Sequence, residues 1–297
     1  MWIITVPSKT FCIGEYSALL GGDSLVLTTG PRFVIQVKKQ SNPTDIPFHP
    51  KSPAGKFCAH HPEFFEQDRF YWNDPHGTKG GFGSSTAEFI AAYLWKHKRS
   101  LPILDMHQVL GDYKKYAWDG RGISPSGADF VAQIQGGLVA SHESMTQSHA
   151  WPFQDIDFII LKTPHKVPTH DHLADDSLAK RVATAYPDLA SVAANALAAV
   201  HNGDAAEFVR SFTEYSHLLM KQDLSLLDVY DLAQEIRQHP GVVAAKGCGA
   251  MGADTMMILV ETHQRNAVEK YLHQEKLTVV AAGGFGFKEC GVVIEKE

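Results

Sequence analysis

The chain has 297 residues, 44% of them hydrophobic and 20% charged, a globular composition that excludes wholesale disorder, a collagen-like repeat and a coiled-coil rod. At about 100–200 residues per domain, this length fits two domains with room for a buried core. The formal net charge of -6 argues against a broad nucleic-acid or anionic-membrane surface, though not against a small positive pocket.

Trp2–Val6 reads as a strand that Pro7 ends, and Arg32–Lys38 alternates as a second, with Phe33, Ile35 and Val37 on one face. Gln40–Lys56 carries Pro43, Pro47, Pro50 and Pro53 and reads as a loop; Phe70–Trp72 reads as a short strand. Ser85–Lys98 predicts a helix with an apolar body and basic residues at its end. Val131–Val139 fits either a helix ending at Gly136-Gly137 or a turn entering a strand. Phe158–Lys162 opens what reads as a second domain, with the boundary near Pro152–Asp157. A helical half follows: Ser177–His201, interrupted near Pro187, then Asp204–Gln222 and Ser225–Gln238, closed by Pro240-Gly241. Strands over Val242–Lys246, Thr255–Val260, Leu277–Ala281 and Gly291–Ile294 surround a helix over Gln264–Glu275. Strands returning in this way predict an α+β fold in two layers.

Cys12, Cys58, Cys248 and Cys290 are far apart and form no CxxC pair, so reduced thiols in a cytoplasmic protein are expected. The segment MWIITVPSK does not read as a signal peptide, and no apolar run is long enough to span a bilayer. His60-His61 and His170-Asp171-His172 are the densest histidine pairs, but no third ligand at motif spacing accompanies either.

The most informative stretch is Lys79–Glu88, KGGFGSSTAE. Its glycines lead directly into a helix, where unpaired backbone N–H groups and the helix dipole suit phosphate. Gly81 and Gly83 permit close main-chain approach, and Ser84 and Ser85 add hydroxyls for phosphate oxygens or Mg²⁺. The pattern is neither a Walker A loop nor a Rossmann fingerprint. Ser85-Thr86-Ala87-Glu88 also reads as a capping box with Ser85 as N-cap, which accounts for the same residues without a ligand. Two more segments stand out. Pro7–Tyr16, followed by Leu19–Gly22, is by itself a strand and turn; Lys246–Asp254 is by itself a hairpin loop.

In this order and spacing, these segments resemble the motifs of the GHMP kinase superfamily, which includes galactokinase, homoserine kinase, mevalonate kinase and phosphomevalonate kinase. Pro7, Lys9, Gly14, Glu15 and Tyr16 are similar to its first motif, P-x-K/R followed by G-E-H/Y. Gly81–Thr86 is similar to G-L-G-S-S-A, Gly249–Ala253 to the G-A-G-G-G loop, and Ser124–Asp129 to the P-S-G-x-D segment. Gly14–Leu19 lacks the sugar-binding aspartate of the galactokinase motif, whereas Gly14-Glu15-Tyr16 and the GAxGxD loop ending in Asp254 resemble phosphomevalonate kinases. The Ser-Pro-Ser-Gly form and the short length resemble mevalonate kinase. Met251 and Ala253 replace glycines, Thr86 replaces alanine, and Glu88 sets negative charge near the phosphate loop.

The resemblance implies a two-domain GHMP fold, with an N-terminal α/β domain over residues 1–155 and a C-terminal ferredoxin-like α+β domain over 156–297. It implies ATP and Mg²⁺, with Gly81, Gly83, Ser84, Ser85 and Thr86 at the nucleotide phosphates. Ser85 and Asp119 are the implied Mg²⁺ ligands, with Glu15 the alternative to Asp119. Asp129 is the implied catalytic group that accepts the proton of the acceptor hydroxyl or orients it, with Lys9 paired beside it. Glu15, Tyr16, Ser126, Gly127, Gly249 and Ala250 are the implied acceptor-binding residues, and Arg121 and Lys79 the cations for an acidic acceptor. The implied activity is phosphorylation of phosphomevalonate or mevalonate in isoprenoid precursor synthesis. The alternatives are a sugar or sugar-phosphate kinase and a non-catalytic metabolite-binding protein on the same fold. A homodimer is compatible with each, and no nucleic-acid or membrane partner is expected.

Overall fold

The computed structural model describes every residue except 40–45, 67, 78–79, 98–104, 143–144, 164–172, 174–175 and 254. The described strands are β1 (Trp2–Ile13), β2 (Ser24–Lys39), β3 (Asp68–Asn73), β4 (Leu138–His142), β5 (Met145–His149), β6 (Ile156–Lys162), β7 (Val242–Cys248), β8 (Thr255–Glu261), β9 (Thr278–Gly283) and β10 (Val293–Lys296). The α-helices are α1 (Pro53–His60), α2 (Ser84–His97), α3 (Met106–Ala117), α4 (Ala128–Gln135), α5 (Asp176–Asn202), α6 (Ala205–Lys221), α7 (Leu227–Ile236) and α8 (Arg265–Gln274).

Two antiparallel sheets result. The first runs β10-β1-β2-β4-β5, with β3 also on β2; the second runs β7-β8-β6-β9. In the second sheet, α5, α6 and α7 lie between β6 and β7, and α8 lies between β8 and β9. That strand order is the ferredoxin-like βαββαβ arrangement, with its first crossover enlarged to three helices. The fold is α+β, as the sequence predicts.

Several element boundaries differ from the sequence expectation. β1 does not end at Pro7. It continues to Ile13, because the pairing with β2 shifts register between Val6 and Ser8, where a residue without an N–H costs no ladder bond. The 40–56 loop ends in a helix start: Ser52 Oγ accepts the Gly55 N–H at 3.1 Å, and Pro53 takes the first helical position. Pro187 does not interrupt α5. The helix buries Leu178, Val182, Ala185, Leu189, Val192 and Ala196 at helical spacing, and this packing outweighs a proline cost of about 3 kcal/mol. The ambiguous 131–139 segment resolves into α4, two glycines at φ 75° and 78°, and then β4.

An aromatic cluster packs the segment between β5 and β6 against the second sheet and α6. Trp151 is fully buried, and its ring lies 5.2 Å from Phe153, 5.0 Å from Phe158 and 5.7 Å from Phe208. Its indole N–H donates to the Ile156 carbonyl at 2.8 Å. The chain then leaves the second sheet after β9 and returns β10 to the edge of β1. Arg32 fastens that return, donating to Glu289 Oε1 at 2.7 Å, to the Cys290 carbonyl at 2.9 Å and to the Gly291 carbonyl at 2.7 Å. The four cysteines are unpaired, and among the described residues no helix is long and apolar enough to cross a membrane. Arg32→Met removes all of these tethers at once. Amide exchange at Val293 and Ile294 is expected to accelerate at least tenfold while exchange in β6 and β8 stays unchanged, read by hydrogen–deuterium exchange.

Candidate active site

Lys9 projects from β1 and Asp129 from the first turn of α4. Lys9 Nζ lies 3.9 Å from Asp129 Oδ2, with side-chain exposures of 9% and 24%. Gly127 caps α4 at φ 80°, and a Cβ there would lie 2.3 Å from Leu110 Cδ1, so only glycine permits this entry against α3. Asp129 Oδ1 accepts the Phe130 N–H at 2.9 Å, which leaves Oδ2 toward Lys9. Tyr113 stacks on Phe130 at 4.9 Å; burial and the Asp129 charge hold its hydroxyl well above the usual range, so it stays neutral.

The glycine loop before α2 meets this pair from the other side. Gly81 and Gly83 have φ of 92° and 87°, and α2 begins at Ser84. The Gly83 carbonyl accepts the first helical bond, from Ala87 N–H at 2.9 Å. Gly83 is therefore the cap, and the expected capping box with Ser85 as N-cap is corrected: Ser85 lies inside the first turn and is exposed. Glu88 is half-buried, and burial lifts its carboxyl to about 7 despite a hydrogen bond from Ser52.

Gln133, one helical turn beyond Asp129 on α4, joins the two halves. Its side-chain amide donates to the Pro7 carbonyl at 2.8 Å and to the Gly83 carbonyl at 3.2 Å. The Thr86 hydroxyl contacts Gln133 Oε1, so threonine in place of alanine satisfies a buried amide. A Cβ on Gly83 would lie 2.7 Å from Gln133 Nε2 and 2.9 Å from Lys9 Cγ. Lys9 N–H donates to the Phe82 carbonyl at 3.0 Å. Phe82 stacks on His76 at 3.9 Å. Ser8 Oγ donates to the Pro31 carbonyl at 2.6 Å, so its 2.6 Å contact with His76 Nε2 requires the ring to donate there. Burial pushes His76 down to about 4. Asp74 accepts the His76 N–H at 2.8 Å and stands 3.4 Å from Ser84 Oγ.

Glu15 and Tyr16 grip the third loop. Glu15 Oε1 meets Lys246 Nζ at 2.7 Å, with exposures of 5% and 1%. Burial opposes the charge on Lys246, but Cys248 and Glu15 more than offset it and the ammonium's pKa is raised. The Lys246 ammonium also sits 5.7 Å from the Phe212 ring centre and 5.8 Å from that of Tyr215. The Tyr16 hydroxyl accepts the Met251 N–H at 2.9 Å, and the Met251 carbonyl accepts Leu226 N–H at 2.9 Å. Met251 sits at φ 54°, a left-handed position that favours the glycine of the motif; Ala253, at φ -79°, needs none. Gly249 turns at φ 88° into the short 3₁₀ turn Ala250–Gly252, where Ala250 is buried.

Ser126 and Gly127 line a cavity of about 390 Å³ between the 18–24 turn, α3 and the start of α4. Ser126 Oγ accepts the Ala128 N–H at 3.3 Å. Asp119 and Arg121 pair with each other at 2.7 Å in the connection between α3 and α4, with Arg121 largely exposed. Lys79, Asp254 and His170–His172 lie outside the described residues. The structure thus gathers Lys9, Asp129 and the Gly81–Thr86 loop around Gln133, and Glu15 and Tyr16 around Gly249–Met251. Gln133, His76, Asp74 and the partner of Lys246 escaped the sequence reading. Only Gln133 left a signal, its i,i+4 spacing from Asp129.

The residues suit a polyphosphate. The first-turn N–H groups of α2 lack intrahelical partners, and two positive-φ glycines open the backbone before them. Ser85, exposed in that turn, suits Mg²⁺, which keeps waters and phosphate oxygens as most of its ligands.

No protein-family model matches the sequence, and no curated protein matches it. Solved structures do match. Over 97% of this chain and 94% of the other, the chain is 18% identical to L. major mevalonate kinase in complex with R-mevalonate, with a TM-score of 0.67. Streptococcus pneumoniae phosphomevalonate kinase in complex with phosphomevalonate and AMPPNP matches at 13% identity and TM-score 0.72, over 95% and 99% of the two chains. The chain has the GHMP kinase fold. Lactococcus lactis galactokinase complexed with galactose shares it at 12% identity and TM-score 0.74, over 98% and 94% of the two chains.

Two measurements check the supports of this site. Lys246→Met leaves Glu15 buried without its cation and is expected to cost about 3–5 kcal/mol in urea unfolding, with Glu15→Gln added to it recovering much of the loss. For His76, the folded pKa of about 4 lies below the ordinary 6.5, so the unfolded chain binds the proton first. Stability is full above the unfolded value and falls as pH drops from 6.5 toward 4, by at most about 3 kcal/mol. His76→Gln is expected to flatten that part of the pH–stability curve.

Proposed function

We propose that the protein is an ATP-dependent kinase of small-molecule hydroxyl groups, with mevalonate or phosphomevalonate the first acceptors to test. The supporting observation is the Lys9–Asp129 pair held against a glycine-opened helix start by the single side chain of Gln133. Phosphoryl transfer needs in-line positioning and charge neutralisation more than covalent chemistry. In this reading the Gly81–Thr86 backbone binds the ATP phosphates. Ser85 supplies a hydroxyl toward Mg²⁺, with Asp119 or Asp74 the carboxylate beside it. Bound Mg²⁺ would neutralise phosphate charge. Asp129 Oδ2 takes the proton from the acceptor hydroxyl, and Lys9 offsets charge on the transferring group. Gly249 and Ala250, held by Tyr16 and Glu15 through Met251 and Lys246, shape the far side of the acceptor site. The galactokinase likeness keeps hexoses in the acceptor panel.

Asp129→Asn and Lys9→Met are each expected to lower kcat about 10²–10⁴-fold with thermal unfolding unchanged. The assay is ADP release over mevalonate, phosphomevalonate, homoserine and galactose. Turnover that survives both substitutions sinks the assignment of roles; Mg²⁺-ATP binding with no turnover on any acceptor points to a non-catalytic protein instead.

A further inference from the structure

α6 and α7 form an antiparallel hairpin, joined by residues 222–226 and clasped by a 2.6 Å contact between His217 Nδ1 and the Tyr230 hydroxyl. An open groove of about 530 Å³ runs along α6, with Arg237 and Val243 on its far wall. Ala206, Val209 and Val243 give it an apolar floor at the end of α7, and Leu218 and Lys221 line it near the hairpin turn. Arg210 is held by Glu207 at 2.6 Å and by Glu214 at 3.2 Å. Two other cations of the groove have no carboxylate partner among the described residues: Lys221, and Arg237, whose guanidinium donates to Gln234 Oε1 at 3.3 Å. The ridge of α7 beside the groove has the opposite character. Leu227, Asp231 and Glu235 recur every fourth residue, so they stand in one row, and all three are exposed, Leu227 at 57%. Asp231 and Glu235 have no cationic partner among the described residues.

We propose that this surface is an isologous interface with a second copy of the chain, each α7 ridge lying antiparallel in the other's groove. A two-fold contact needs a patch that is complementary to itself, and here an apolar groove with two unpaired cations adjoins a leucine with two unpaired carboxylates. The polarity also fits. Arg237 stands at the C-terminal end of α7 and Lys221 near its N-terminal end. An antiparallel second helix therefore brings the partner's Asp231 within reach of Arg237 and the partner's Glu235 within reach of Lys221. The partner's Leu227 falls on Ala206, Val209 and Val243. The leucine supplies the desolvated contact, while the charges set direction and register. This interface is independent of the kinase reading.

The test is sedimentation velocity of the full chain over a concentration series, with circular dichroism to check the fold of each variant. The unaltered chain is expected to reach a dimer that weakens in high salt. Arg237→Glu and Asp231→Arg should each raise the dissociation constant about tenfold or more. Both substitutions in one chain re-pair the charges in the reversed sense and should restore most of the affinity. Leu227→Glu, at a position exposed in the single chain, should abolish the dimer with the circular dichroism unchanged. Lys39→Glu, exposed on the first sheet, should alter nothing. A chain that stays monomeric at every concentration leaves the groove to some other partner and overturns the interface. So does a dimer indifferent to Arg237, Asp231 and Leu227, or a charge swap that restores nothing.

Discussion

Between the two sheets a carboxylate and an ammonium meet almost entirely out of water, and the functional loops are hung from that contact. Glu15 ends the first strand's motif, and Lys246 lies on β7 just ahead of the third loop. Removing two charges from water costs several kcal/mol per ion, so such a pair is a poor source of stability against an apolar replacement. Its value lies in direction. An apolar pair tolerates sliding, while a 2.7 Å ion pair with a second bond to the Gly247 carbonyl defines one register between strands 231 residues apart. The Tyr16 hydroxyl repeats the constraint one residue on, by holding Met251 in a left-handed conformation that its side chain does not favour.

The same economy governs the side that carries Lys9 and Asp129. Gln133 touches β1 through Pro7, the glycine loop through Gly83, and α2 through Thr86. Asp129 is on the same helix, so the relation between carboxylate and glycine loop is carried by one rigid element and one buried amide. Gly83 serves two purposes: it turns the chain at positive φ, and it leaves room for both Gln133 and Lys9. Any side chain there would separate the groups that must converge.

Much of the fold was legible in periodicity. The strand around Phe158, the helix after Ser85 and the helices on either side of Asp204 all appear within a few residues of their expected ends, whereas β2, expected to start at Arg32, starts at Ser24. The errors share a cause. Pro7 and Pro187 are local breakers, but each sits where long-range packing removes the penalty, at a register shift in one case and on a helix with a continuous buried face in the other. The capping box was a sound local reading of Ser85 and Glu88. It gave way because the chain needs Gly83, one residue earlier than the true first turn, to clear Gln133 and Lys9.

By itself the sequence determined which residue types were available for phosphate and proton chemistry, their order along the chain, and the α+β class. These follow from local geometry: glycine before a helix, alternation in strands, an aspartate after a glycine cap. Only the tertiary structure decided how they combine. It turned Glu15 and Tyr16 toward the third loop and paired Asp119 with Arg121. Contacts between residues far apart in the chain depend on how the two sheets close on each other, and no local pattern encodes the partner of a buried charge.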